Sequence, residues 1–173
     1  MILAIDVHYT DDQGFVSAVS FNNWSDKEPS GKYYAVLNNI VDYEPGQFYK
    51  RELPCILKLL DESSLNPEII VIDGYVTLND QGTPGLGEHL YKAIEGKSQI
   101  IGVAKKSFMK INERTKIFRG NSKNPLFITS IGIDIEEAKN NILKMYGQNR
   151  IPVLLKLVDT LCRETAKNAQ TNC

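Results

Sequence analysis

The chain has 173 residues, 42% of them hydrophobic and 24% charged, with a formal net charge of −1. Those values suit one globular domain with a real core; they exclude a disordered polyelectrolyte and leave nucleic acid open as a partner. Three cysteines (Cys55, Cys162 and Cys173) are too few and too irregularly spaced for a disulfide framework or a zinc site, and no apolar run reaches the roughly 20 residues of a membrane span, so a cytoplasmic protein with no signal peptide is expected.

Three strand-like runs come first, at residues 1–9, 14–21 and 32–37, separated by short polar connectors as in an antiparallel meander. Trp24, in the connector 22–31, is expected to lie as a lid over the core, with an exposed contact as the alternative. A Pro45-Gly46 turn leads into a helix over 47–62, whose apolar face is Leu53, Ile56, Leu57, Leu59 and Leu60. A strand at 68–73, a glycine-bearing loop, a helix at 85–95 and a strand at 99–104 then read as a βαβ unit with parallel pairing. Strand-like 116–118 and 126–130 follow. Asp134 opens a helix expected to end at Gly147, and a last amphipathic helix is expected from Pro152 to about Ala169, with a frayed polar tail from Asn168. No repeat, linker or second domain is visible.

Two of these strands end on an aspartate: Met-Ile-Leu-Ala-Ile-Asp6 and Glu-Ile-Ile-Val-Ile-Asp73. A wholly apolar, β-branched run reads as a strand buried on both faces, and a carboxylate at its end must be paired or bound to a metal. If the strands are neighbours, two such charges about 4 Å apart repel by about 4 kcal/mol at an effective dielectric of about 20. A divalent cation removes that penalty. With Glu52 at the start of the intervening helix, Asp6 and Asp73 are the expected metal ligands, set against the plainer reading of each as a strand-end cap.

A three-strand meander, a helix and then a parallel βα alternation is the element order of ribonuclease H-like folds. These are α/β proteins with a mixed sheet flanked by helices, and Asp6 and Asp73 sit where that topology brings two carboxylates together. Within it, Ile5-Asp-Val-His-Tyr9, Tyr43-Glu-Pro-Gly-Gln-Phe-Tyr-Lys-Arg-Glu-Leu-Pro54, Val71-Ile-Asp-Gly74 with Gly85-Leu-Gly-Glu-His-Leu90, and Ile101-Gly-Val-Ala-Lys105 occur in order. Arg150-Ile-Pro152 with Asp159 and Arg163 completes the series. Together these stretches resemble the endonuclease V family, repair nucleases of deaminated bases, over nearly the whole chain.

The resemblance implies Mg²⁺ or Mn²⁺ and hydrolysis of a phosphodiester near deoxyinosine in DNA or inosine in RNA. It implies Asp6, Glu52, Asp73 and Lys105 as catalytic residues, with the three carboxylates on the metal and Lys105 against the phosphate. All-oxygen ligands suit such hard cations. It also implies Tyr43 and Pro45 as a wedge that fills the stack when a base is drawn out, and Gly74 in the loop that receives the base. The basic stretch 105–123, with Lys106, Lys110, Arg114, Lys116, Arg119 and Lys123, is expected to be a phosphate track, or else a solvated loop guarding a sheet edge. A monomer is favoured.

The sequence departs from the family pattern in four places. Ile131 stands where the family's catalytic histidine is expected, leaving Asp134 or His8 as substitutes; Asp134 reads equally as a plain helix cap. Glu44 replaces an apolar wedge residue. The loop after Asp73 reads Tyr75-Val-Thr-Leu-Asn-Asp-Gln81, where Val76 is expected to crowd the base pocket. The family's helix before the first strand has no counterpart here. His89 matches a histidine of the family and is expected to pack. These departures keep a second hypothesis open, a non-catalytic nucleic-acid-binding protein on the same fold.

Overall fold

Strand formation follows the apolar runs closely. The computed structural model describes residues 1–10, 12–40, 47–108 and 113–171, so Tyr43, Glu44, Pro45 and Lys110 lie outside the described residues. Its strands are β1 (Ile2–Tyr9), β2 (Gln13–Phe21), β3 (Gly31–Asn38), β4 (Ile69–Asp73), β5 (Gln99–Ala104), β6 (Lys116–Ile117) and β7 (Leu126–Ile131). The helices are α1 (Tyr49–Glu62), α2 (Leu86–Ala93), α3 (Ile135–Lys144) and α4 (Val153–Thr171). Among the described residues no helix is long and apolar enough to cross a membrane.

One mixed sheet runs in the order β3-β2-β1-β4-β5-β7-β6. β1, β2 and β3 form the expected antiparallel meander, and β4 and β5 pair in parallel with β1 and with each other. The chain leaves β1 toward one edge and later returns to its other side with β4. That reversal opens a crevice beyond the carboxyl ends of β1 and β4, the place where α/β sheets bind ligands.

Helices cover both faces, which is why the central strands are apolar on both sides. Leu3, Ile5, Ile70 and Ile72 pack against Ile56 and Leu59 of α1 and Leu90 of α2. On the opposite face Ile2, Ala4, Val71 and Val103 meet Ile142 of α3 and Val158 of α4. Trp24 packs on this second layer and meets Phe21 edge-on, ring centroids 5.9 Å apart, so the lid reading holds.

Two helix ends differ from expectation. α3 stops at Lys144, because Met145 turns to an extended conformation (φ −57°, ψ 141°) and the chain peels away before Gly147. α4 continues past Asn168 to Thr171. Its last turns have an apolar anchor: Ala166 and Ala169 pack beside Phe15 of β2.

Candidate active site

Strand periodicity decides which side chains meet. Side chains alternate between faces, so Ile2, Ala4 and Asp6 share one face of β1, as Val71 and Asp73 do on β4. Val103 leads in the same way to Lys105, one residue beyond β5. The β1–β4 register pairs Ile5 with Ile72, so the next step sets Asp6 beside Asp73, and Asp73 in turn is opposite Val103. Three functional groups therefore project from one sheet face at the ends of three adjacent strands, toward α4. Lys105 Nζ bonds Asp73 Oδ2 at 2.5 Å, with both side chains a little over one-third exposed.

Glu52 reaches this cluster from α1 on the other face. The preceding Arg51 fastens the helix start to the end of β1: its guanidinium lies 4.0 Å from the centre of the Tyr9 ring and donates to the Thr10 carbonyl at 3.1 Å. Burial, and then the charges of Asp6 and Asp73, push the Glu52 carboxyl up to about 8. Burial, and then Asp73, raise Asp6 to about 7.

A fourth carboxylate, Asp159 of α4, is hydrogen-bonded to the Asp6 side chain. Burial works to raise its pKa, but its bond from Arg163 Nε at 3.0 Å and the charges of Lys105 and Arg163 hold it below the usual range. Burial opposes a charged Lys105, yet Asp73, Asp6 and Asp159 keep its pKa raised. The two carboxyls are thus pushed in opposite directions, Asp6 up by burial and Asp73, Asp159 down by Arg163 and Lys105.

Sequence reasoning assigned Asp159 no role. Only the packing of α4 across β1 brings it to Asp6; along the chain the hint was its place, with Arg150-Ile-Pro152 and Arg163, in the series that resembles the family's final helix.

Several expectations need correction. Asp134 is a helix cap, accepting from the backbone N–H groups of Glu136 (2.9 Å) and Glu137 (3.2 Å). It cannot stand in for a catalytic histidine, because β7 runs antiparallel to β5: Phe127 is opposite Ala104, but Ile131 is opposite Ile100. Four residues of strand, about 13 Å, carry Ile131 and Asp134 to the far end of the sheet. His8 shares Asp6's face but lies where β1 has run past β4 and pairs with β2 alone, opposite Phe15. Arg119 leaves the phosphate track: it is 5% exposed and donates to the carbonyls of Met145, Gly147, Asn149 and Arg150. Lys116 pairs with Glu113 at 2.6 Å. Lys106, Arg114 and Lys123 are exposed, as a track requires.

Val76 does not crowd the pocket. Its side chain is 1% exposed and packs in the layer of α1 and α2, while its N–H donates to Thr129 Oγ1 at 2.8 Å. The hollow beside Asp73, about 180 Å³, is instead walled by Phe48, Tyr49, Tyr75, Leu78 and Phe108, with Glu52 at its edge. Gly74 lines it at φ +149°, a backbone angle that L side chains rarely adopt. His89 stacks on Tyr49, ring centroids 3.6 Å apart, and so packs as expected.

The four carboxylates supply only oxygen donors, the set that a hard divalent cation prefers. As they stand, however, no three His, Cys, Asp or Glu side chains among the described residues are grouped to hold an ion. The donors are of the type a hard cation takes, while the aspartate oxygens are engaged with other side chains: Asp73 with Lys105, Asp159 with Arg163, and Asp6 with Asp159.

The sequence model of the endonuclease V family matches residues 1–124. An endonuclease V of Streptomyces avermitilis is 27% identical over 190 aligned positions, covering 97% of this chain and 81% of that protein. The fold superposes on the crystal structure of a Bacillus subtilis endonuclease V with a TM-score of 0.79 at 18% identity, covering 99% of this chain and 83% of the other. It also superposes on Ciona intestinalis endonuclease V, crystallised with a DNA 24mer containing an inosine followed by a ribo-adenosine, with a TM-score of 0.79 at 15% identity and coverage of 97% and 86%. These two likenesses agree with the ribonuclease H-like element order.

Proposed function

The chain belongs to the endonuclease V family, and from that premise we propose that it is a divalent-metal-dependent endonuclease cutting DNA or RNA near a deaminated base, inosine or deoxyinosine. One observation carries the reading: Asp6, Glu52, Asp73 and Asp159 converge with Lys105 at the crevice where the sheet reverses direction. A phosphodiester there meets an all-oxygen donor set and one fixed ammonium group.

Asp6, Asp73, Asp159 and Glu52 would hold Mg²⁺ or Mn²⁺. Such an ion polarises a phosphoryl oxygen and lowers the pKa of a bound water. The protein's own residues do the rest. Lys105 Nζ, already beside Asp73, offsets negative charge gathering on the phosphate, and a cation fixed before the reaction costs little reorganisation. The aromatic hollow beside Asp73 offers flat walls for an extruded base, and Gly74 lets the backbone approach it.

The non-catalytic alternative rested on a missing histidine and on a remodelled base pocket, and Val76, expected to crowd that pocket, is buried in the core. Asp159 supports catalysis instead, since it adds a fourth carboxylate to the cluster. Purified protein with Mn²⁺ or Mg²⁺ is expected to nick an inosine-containing oligonucleotide, and Asp73→Ala to abolish the cut. No cleavage of DNA or RNA carrying any deaminated base, with either metal, defeats the proposal.

A further inference from the structure

Three hollows adjoin one another at the crevice. The aromatic hollow shares Asp73 with a narrow cleft over Asp6 and Val71, and that cleft shares Lys105 with a wider groove of about 430 Å³ along α4. The acid cluster stands in the middle. A strand with one base in the aromatic hollow and a phosphate on the acids therefore has an open continuation along α4.

That groove has the chemistry of a phosphate seat. Lys156 and Arg163 line it on either side of Asp159, at i, i+3 and i+7 of one helix face, and at 1.5 Å per residue their backbones are about 10 Å apart. Its upper end is the first turn of α4, where the helix dipole favours anions. Two arginines hold its wall in place. Arg119 draws the 145–150 loop together through four carbonyls, and Arg150 donates to the carbonyls of Lys105 and Pro125. These bonds engage Arg119 and Arg150 inside the protein, and Lys105 is paired with Asp73, so α4 adds Lys156 and Arg163 to the cations lining the groove.

We propose that the α4 groove binds the nucleic-acid backbone on the side of the acid cluster opposite the base hollow, with Lys156 and Arg163 holding phosphates next to the one that is cut. This rests on the endonuclease reading and adds to it a direction for the strand. Arg163 meets Asp159 in the free protein at 3.0 Å, and because its side chain is largely exposed a phosphate in the groove can compete with Asp159 for it.

The test is anisotropy of a fluorescein-labelled single-stranded oligonucleotide with one central deoxyinosine, measured in EDTA over a salt series. The proteins compared are the wild type, Lys156→Gln and Lys156→Gln/Arg163→Gln. The double variant is expected to bind roughly tenfold more weakly at low salt, with a salt slope shallower by about 1.4, two contacts at about 0.7 each; the single variant loses about half of that slope. Two shorter oligonucleotides, ending one nucleotide 5′ or 3′ of the deoxyinosine, give the direction. With one of them the double variant and the wild type should bind alike.

Unchanged slopes, or an equal loss with both short oligonucleotides, overturn the groove assignment. Cleavage by the wild type in Mn²⁺, measured alongside, then shows that the endonuclease reading stands without it. A wild type that neither binds nor cuts any of these oligonucleotides removes both.

Discussion

The side chain of Asp159, on the last helix, is hydrogen-bonded to that of Asp6, on the first strand. The pair ties the two ends of the fold together at the acid cluster. Two carboxylates in such contact cannot both ionise cheaply, so they share a proton until a cation or a basic group takes its place. Lys105 and Arg163 already play part of that role.

The first prediction concerns pH. Asp6 and Glu52 have folded pKa values of about 7 and 8, raised from 3.8 and 4.5. Between those limits the folded state binds more protons than the unfolded one, so stability must fall as pH rises. In EDTA the midpoint of thermal unfolding should drop by several degrees between pH 5 and pH 8.5, and Mn²⁺ should recover most of the loss at pH 8.5. A midpoint that rises or stays level over this range in EDTA contradicts the burial of these acids.

Asp159 and Asp134 should separate cleanly. Asp159→Ala removes a carboxylate from the cluster and should lower the cleavage rate by at least about a hundredfold, as loss of a charge-stabilising group does. Asp134→Ala removes only a helix cap and should cost about 1 kcal/mol of stability. Cleavage assays and urea denaturation of both variants check this. A cleavage defect in Asp134→Ala greater than in Asp159→Ala would reverse the assignment.

Arg119 should prove structural. Its removal leaves the carbonyls of Met145, Gly147, Asn149 and Arg150 without their charged donor, so Arg119→Ala should destabilise the protein by about 3 kcal/mol. The salt dependence of oligonucleotide binding, measured where the variant remains folded, should hardly change. A shallower slope with unchanged stability would restore Arg119 to the phosphate track.

Gly102 offers a packing test beside the base hollow. A Cβ there would stand 2.6 Å from the Gly74 carbonyl oxygen and 2.9 Å from the Val76 backbone nitrogen. Gly102→Ala must push the 74–76 segment outward. A loss of about 1–3 kcal/mol is expected, with a raised KM for inosine-containing substrate. Wild-type stability together with wild-type KM would show that this segment has room to spare.

Much of the fold was legible because it depends on local patterns. Apolar runs marked β1, β4 and β5, the spacing of Leu53, Ile56 and Leu59 marked α1, and Asp134 announced α3 by capping it. The strand-end aspartates were visible for the same reason, since a carboxylate after four apolar residues breaks a local rule. Arg119 was misread because a charged residue between exposed neighbours looks solvated; its partners lie in the 145–150 loop, far away in sequence. Val76 was misread because the face a loop residue chooses depends on the strand it crosses, here β5 at Gly102.

By itself, then, the sequence determined the order of elements, the family resemblance and the carboxylates at the ends of β1 and β4. Alternation of side chains along a strand and periodicity around a helix are properties of the chain alone. Tertiary structure decided which groups share the crevice. The antiparallel course of β7 carried Asp134 away from it, and the packing of α4 across β1 brought Asp159 in. Both outcomes depend on how buried apolar faces dock, and docking joins residues that no local spacing relates.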